Sequence, residues 1–391
     1  MKEKAGQEDR LLGRDFALIC LINSLAFFSI YLIVPVLPRF LEEVGYSNFL
    51  IGFLMATATL TALLRPLFGR AADLKGRKIV LVAGTLLLGV STFFYISFTS
   101  ALPLFFIRLL NGLGLAAFHT AAYAIIGDLA PHTRRLQAIA LFYISVDITI
   151  ATAPIVAKNM QDAWGYNAVY LLAGCLAMLA FLCSLLVRET RGGEHRAESG
   201  KFSRIRITSL QWSIYVITMG FTLIFGMLQW FIVLSSEAQG IEQGELFFTV
   251  FAVTLIVFRL GVGRKADRWA RQPLIISSAL ISLAGLVVIA YAGNLAVLLL
   301  GSFIFALGFA YLPTTLSALL LDHTPVSDRG AALGIFMAVF DVGIGLGGIA
   351  LGPLADLWGY TAMYLCGGAL AVMTLAFFVM RTVTKPESKS D

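Results

Sequence analysis

The chain has 391 residues, 59% hydrophobic and only 13% charged, with a mean hydropathy of +0.85 and a formal net charge of +6. Soluble domains carry nearer ~25% charged residues, so this composition excludes a soluble globular protein and makes a bilayer the solvent. The basic surplus does not describe a nucleic-acid surface, because its Lys and Arg residues sit in short turns between apolar runs.

Residues 1–15 form a polar N-terminal tail. Apolar runs then follow at 16–41, 48–69, 79–99, 101–127, 135–158, 166–188, 209–234, 243–263, 273–293, 295–321, 330–355 and 360–381. These are twelve predicted spans. They are read as helices because only helices or closed barrels satisfy the backbone in lipid, and the two-residue alternation of a barrel strand is absent. Pro35, Pro154, Pro313 and Pro353 fall inside spans, where neighbouring helices make proline tolerable. Cys20, Cys175, Cys183 and Cys366 lie within apolar runs and are expected to be buried small hydrophobes. The first run is too long for a cleavable signal and lacks a small-residue cleavage site.

Of the 29 Lys and Arg residues, 24 fall in the tails, the linker and the alternate turns on one side. Arg39 and Lys158 fall on the other side, and Arg65, Arg108 and Arg259 lie within spans. The positive-inside rule then predicts both termini in the cytoplasm. The polar stretch 189–208 is the single long break and reads as a solvated linker. It divides a first bundle, 16–188, from a second, 209–381, and a C-terminal tail follows at 382–391.

The two bundles repeat each other. Arg65 to Asp73 reads RPLFGRAAD, and Arg259 to Asp267 reads RLGVGRKAD, 194 residues later. At the same offset Asp128, Pro131, Arg135, Asp147, Trp164-Gly165-Tyr166 and Tyr170 meet Asp322, Pro325, Arg329, Asp341, Trp358-Gly359-Tyr360 and Tyr364. Each copy holds an even number of spans, so the copies run parallel. The expected fold is an all-α membrane protein of twelve transmembrane helices in two parallel six-helix repeats.

With these features the chain resembles the major facilitator superfamily over essentially its whole length. Gly69-Arg70-Ala71-Ala72-Asp73-Leu74-Lys75-Gly76-Arg77-Lys78 reads as a charged turn similar to that family's G-x-x-x-D-x-x-G-R-K signature. The second half keeps Gly263 and Asp267 of it. Arg108-Leu109-Leu110-Asn111-Gly112-Leu113-Gly114 is similar to the R-x-x-Q-G-x-G motif of proton-coupled drug exporters, with Asn111 in place of Gln. Span five has Ala153-Pro154 where those exporters carry Gly-Pro with flanking glycines. Span eleven is rich in glycine (Gly343, Gly345, Gly347, Gly348, Gly352), a pattern of close helix packing.

The resemblance implies alternating access around a site between the halves, near the midplane. It also implies a latch made by Gly69, Asp73, Gly76, Arg77, Lys78, Asp128, Gly263 and Asp267. Asp73 is expected near the start of span eleven, at 329–332, and Arg77 is expected to pair with Asp128. Family packing of span two on eleven and of five on eight further implies the pairs Arg65–Asp341 and Arg259–Asp147, symmetry mates at the 194 offset.

Ionisable groups inside a membrane are costly and mark function. The candidates for substrate contact or coupling are Arg108, Asn111, His119, Asp147 and Asp341. Asn23, Tyr31, Tyr123, Gln229, Trp230, Tyr311 and Thr314 are expected to line a cavity. Asp147 and Asp341 are the acids expected to be buried, and His119 is the histidine within a span, whose unperturbed pKa near ~6.5 makes it a possible proton site. No enzyme, nucleotide, metal or cofactor motif is present in the sequence. The expected function is secondary transport of a small organic molecule, as proton-coupled efflux. Uptake or exchange of an organic anion, and export of a lipid-like or siderophore-like compound, remain as alternatives. Expected partners are the substrate, protons and the lipid bilayer, with no nucleic acid. The protein is expected to be a monomer in the plasma membrane, the inner membrane in a bacterium.

Overall fold

An apolar run in lipid must close its own backbone hydrogen bonds, and each long run does so as a helix. The computed structural model describes residues 13–130, 135–190, 207–261, 270–325 and 328–383, leaving aside the side chains of 135, 136, 140, 259, 260, 330 and 383. Among these residues there is no strand.

Span one is Arg14–Glu43. Spans three to six are Arg77–Phe93, Ala101–Leu129, Arg135–Trp164 and Tyr166–Leu185. Spans seven to ten are Ser209–Ala238, Leu246–Gly261, Arg271–Ala290 and Leu295–Asp322. The helix Arg329–Val383 holds spans eleven and twelve, divided at Gly359, whose φ is 82°. Gly165 sits between spans five and six at φ 77°, one repeat earlier. A side chain resists this left-handed backbone, so Trp-Gly-Tyr marks the same sharp turn in both halves.

Span two departs from the sequence expectation. It is helical over Asn48–Leu60 and Arg65–Lys75, with a 3-10 turn at Thr61–Leu64 between them. Pro66 in the first turn after the break lacks an amide hydrogen, and Thr61 Oγ1 donates to the Ala58 carbonyl at 2.6 Å. Both loosen the regular ladder at this point. The signature stretch 69–78, expected as a turn, is helix through Lys75 and breaks only at Gly76. Its exposed Arg70, Asp73 and Lys75 let the helix continue past the apolar region into water. Cys175 is exposed and Cys20, Cys183 and Cys366 are half-buried, correcting the expectation of burial. A span in lipid has no need to turn every apolar side chain inward.

The chain divides into two compact units. Unit one comprises Met1–Phe40 and Thr57–Arg196, and unit two comprises Leu41–Ala56 and Ala197–Asp391. The first part of span two thus belongs with the second half of the sequence. The core of unit one gathers Ile19, Ile22 and Ala26 of span one, Leu81 and Leu88 of span three, Phe118 and Ile125 of span four and Phe142 of span five into one cluster. Unit two is centred on phenylalanines. Phe225 stacks on Phe251 and Phe309 at 5.3 and 4.8 Å, and Phe251 continues the stack to Phe247 and Phe305.

Candidate functional site

Two buried polar places in unit one hold candidate residues. The first joins spans one, four and five. Asn23 is fully buried and donates to Ser145 Oγ at 2.9 Å and to the Phe142 carbonyl at 3.2 Å. Its Oδ1 is buried with no acceptor role filled among the described residues. His119 lies in an aromatic cage, with Phe27 at 5.3 Å and with Phe118 and Phe142 at 6.0 Å. Its Nε2 is buried and makes no hydrogen bond among the described residues. Phe27 also stacks on Tyr31 at 6.5 Å, and Phe142 meets Tyr123 at the same distance. Asp147, 3% exposed, is within electrostatic range of the Tyr31 hydroxyl. Arg65 stands in the same relation to His119. The candidates Asn23, Tyr31, His119 and Tyr123 are therefore brought together around the rings of Phe27 and Phe142, with Asp147 and Arg65 within electrostatic range of Tyr31 and His119.

The second polar place lies between spans three and four. Arg108 is 6% exposed and its guanidinium stands beside the buried Tyr95 hydroxyl, without closing a well-formed hydrogen bond to it. Asn111 donates to Thr92 Oγ1 at 3.0 Å and Ser91 Oγ at 3.4 Å. Its amide nitrogen is thereby engaged in tying span four to span three.

At the signature stretch, Arg77 forms an ion pair with Asp128 and donates to the Ala124 carbonyl at 3.0 Å. Lys78 Nζ donates to the Leu185 carbonyl at 2.7 Å. Sequence reasoning missed the group that organises this corner. The Glu189 carboxylate accepts from the backbone amides of Arg77 and Lys78 at 3.0 and 3.1 Å, neutralising the start of span three. Gly76 has φ 109°, and a Cβ there would lie 2.6 Å from Glu189 Oε2. Both facts account for the glycine. Thr190 adds a donor to Asp128 at 2.8 Å. Gly69 is half-buried within the helix.

Unit two carries a clasp that sequence reasoning also missed. Asp356 near the end of span eleven accepts from the Asn48 and Phe49 backbone amides at 2.9 and 3.1 Å, and from Asn48 Nδ2 at 2.7 Å. It caps the first turn of span two, where amide hydrogens lack partners and the helix dipole favours an anion. The Tyr360 hydroxyl meets Asn48 Oδ1 at 3.0 Å and Glu42 at 3.3 Å. Below the cap, a Cβ on Gly348 would lie 2.9 Å from Gly52 Cα, so the two helices approach backbone to backbone. The 194 offset matches Asp356 with Asp162, but Asp162 pairs with Lys158, so the repeat alone did not reveal the cap.

The remaining candidates in unit two are dispersed. Trp230 is buried against Gly348, Gln229 and Asp341 are half-buried, and Tyr311 sits edge-on to Phe258 at 5.9 Å. Thr314 is exposed and donates to the Tyr311 carbonyl at 2.9 Å. Of the two acids expected to be buried, Asp147 is buried and Asp341 is only half-buried, whereas Glu245, 6% exposed, is a buried acid that was not expected. Gly263, Asp267 and the side chain of Arg259 lie outside the described residues.

Comparison with known proteins agrees with this architecture. The Major Facilitator Superfamily model matches residues 19–244 and 239–391. The chain is 25% identical to the staphylopine export protein of Staphylococcus aureus, across 94% of this chain and 96% of that one. It is 24% identical to the multi-drug resistance efflux pump PmrA of Streptococcus pneumoniae, across 93% and 95%. In fold it is similar to the nucleoside transporter NupG, with a TM-score of 0.82, 14% identity and coverage of 94% and 100%. The human organic anion transporter MFSD10 superposes with a TM-score of 0.72 at 16% identity, covering 94% and 100%. The chain belongs to the Major Facilitator Superfamily and is a multi-pass membrane transporter, not an enzyme.

Proposed function

We propose that the protein exports a small organic molecule by alternating access, and that proton uptake and release in unit one drives the cycle. One observation carries this reading: Asn23, Tyr31 and Asp147 are buried and His119 is half-buried in the same bundle, with Asn23 bonded to the Phe142 carbonyl and Tyr31 and His119 packed on the rings of Phe27 and Phe142. Ionisable groups are kept at such depth where they bind or carry something. The direction follows from two full-length relatives whose names specify export and efflux. In this reading Asp147 exchanges the proton, and Asn23 and His119 offer an acceptor and a ring nitrogen to the substrate. The test is substrate accumulation in inverted membrane vesicles, run with and without a proton gradient. Accumulation that ignores a collapsed gradient refutes the coupling.

A second reading, exchange of an organic anion, is favoured by Arg65 and Arg108, two cations held within the spans of unit one. Stimulation of efflux by an anion on the opposite side, at zero proton gradient, separates it from the first.

The conformational parts complete the proposal. Both termini lie in the cytoplasm, from the distribution of Lys and Arg. Asp73, Arg77 and Asp128 form a cytoplasmic latch, and the Asp356 cap holds the opposite end. Asp73→Asn that inserts correctly and transports at the normal rate removes Asp73 from the latch. The pairs Arg65–Asp341 and Arg259–Asp147 rest on the sequence repeat. Partial recovery of activity in Arg65→Asp with Asp341→Arg, relative to either single change, is the expected sign of the first pair.

A further inference from the structure

Span seven begins at a cap in which Thr208 and Gln211 satisfy each other's backbone. Just inside it, Ser209 Oγ accepts from Arg381 at 3.5 Å, at the last turn of span twelve. From this contact two stripes run along the helices. Ser209, Trp212, Val216 and Met219 recur at helical spacing on span seven, and Arg381, Thr374 and Leu370 do so on span twelve. Trp212, Val216, Met219, Thr374 and Leu370, with Val339 of span eleven, line an open groove of about 210 Å³, and Ser209, in contact with Arg381, lies one helical turn before its Trp212 end.

The two hydroxyls of the groove are engaged. The Tyr215 hydroxyl donates to the Ala332 carbonyl at 3.2 Å, and Thr374 Oγ1 donates to the Ala371 carbonyl at 2.9 Å. The floor is close-packed, since a Cβ on Gly220 would lie 2.4 Å from Thr374 Oγ1. A groove this apolar, on the membrane-spanning part of the protein, does not hold water. Its length matches one leaflet. Eleven residues separate Trp212 from Leu223, about 17 Å of helix, against a half-bilayer of ~15 Å.

Arg381 marks the headgroup end. Its guanidinium lies over the Phe377 ring at 5.4 Å, is exposed, and has no carboxylate partner among the described residues. Trp212, 55% exposed on span seven, is a residue type suited to the membrane interface. A hydrocarbon chain entering the groove leaves other hydrocarbon behind, so it gains packing but no hydrophobic transfer energy. Selectivity must then come from the charge at the mouth. We infer that this groove binds one acyl chain of an anionic diacyl phospholipid, whose phosphate is held by Arg381 and Ser209 in the leaflet at the start of span seven and the end of span twelve.

The test reads lipid retention and is independent of any transport assay. Protein reconstituted in vesicles of equal phosphatidylglycerol and phosphatidylcholine is extracted in mild detergent and weighed by native mass spectrometry. One interfacial Arg is expected to favour phosphatidylglycerol about fivefold. Arg381→Gln should abolish the preference, Arg381→Lys should keep most of it, and Leu370→Trp should displace both lipids by filling the groove. A phosphatidylglycerol carrying a diazirine on its acyl chain should label the peptide spanning 212–223 in the wild-type protein, which makes the test independent of variant folding. Equal retention of the two lipids by the wild type, an unchanged preference in Arg381→Gln, full retention in Leu370→Trp, or labelling confined to other spans would overturn the inference.

Discussion

Position 108 and its repeat mate, position 302, set the two halves apart. The first is a buried arginine beside Tyr95, and the second is a serine that donates to the Phe247 carbonyl at 2.8 Å. Asn111, bonded to Thr92, corresponds to Phe305 in the phenylalanine stack, and Tyr31 near Asp147 corresponds to Phe225 of the same stack. The turns tell the opposite story, with Gly165 and Gly359 adopting one conformation. The repeat is kept where it fixes topology, and the interiors have diverged. At the positions compared, unit two places stacked phenylalanines and a serine, with Glu245 its buried acid elsewhere, whereas unit one places a buried arginine, an asparagine and a tyrosine beside a buried aspartate, groups that are expensive to bury. That asymmetry is why the proposed chemistry is assigned to unit one.

The comparison is broken most easily at its largest contrast. Arg108→Ala removes a buried charge from beside the Tyr95 hydroxyl; polar interactions of a charged group contribute roughly 1.5–3 kcal/mol, and if they are made in the transport cycle this corresponds to about a ten- to hundredfold loss of transport rate. Ser302→Ala should change the rate by less than about threefold, because it removes one neutral intramembrane hydrogen bond of ~0.6 kcal/mol. Comparable losses in initial-rate assays of the two variants would mean that the halves share the work.

Asp356 and Asp162 sharpen it next. Asp356 caps two backbone amides of span two, while Asp162 pairs with Lys158 one helical turn away at 2.7 Å. Asp356→Ala should cost about 1–2 kcal/mol in denaturant unfolding, as lost caps do. Asp162→Ala should cost no more than about 0.5 kcal/mol, as for exposed i,i+4 pairs. Equal costs would remove the clasp from the account.

The smallest effect is expected at Asn111. Thr92 and Ser91 also donate to the Leu88 carbonyl, at 2.7 and 3.1 Å, and keep those bonds in Asn111→Leu. The stability change should be near ~0.6 kcal/mol, with transport retained. Loss of transport in a normally stable Asn111→Leu protein would restore Asn111 as a substrate contact.

The helical spans and the Trp-Gly-Tyr turns were legible in the sequence because lipid admits few alternatives and the 194-residue offset repeats their landmarks. The interruption at Thr61–Leu64 was not legible, since hydropathy continues unbroken through it. Glu189 and Asp356 escaped notice for another reason. Each is a carboxylate beside a span end, where sequence alone suggests only solvation. Their role depends on helix starts 112 and 308 residues away in the chain. His119 and Asn23 could be named as candidates, but Phe27 and Phe142 as their common surroundings appear only once three spans are packed.

The central claim, that coupling is seated in the polar half, is tested most directly with the matched aspartates. Asp147 is buried near Tyr31, and Asp341 is half-buried in unit two. Gradient-driven substrate uptake is measured in inverted vesicles carrying the wild type, Asp147→Asn or Asp341→Asn, before and after an ionophore collapses the proton gradient. The account predicts that Asp147→Asn and the ionophore each abolish accumulation, while Asp341→Asn slows it but leaves it sensitive to the ionophore. Accumulation that survives in Asp147→Asn, or that is lost only in Asp341→Asn, would contradict it.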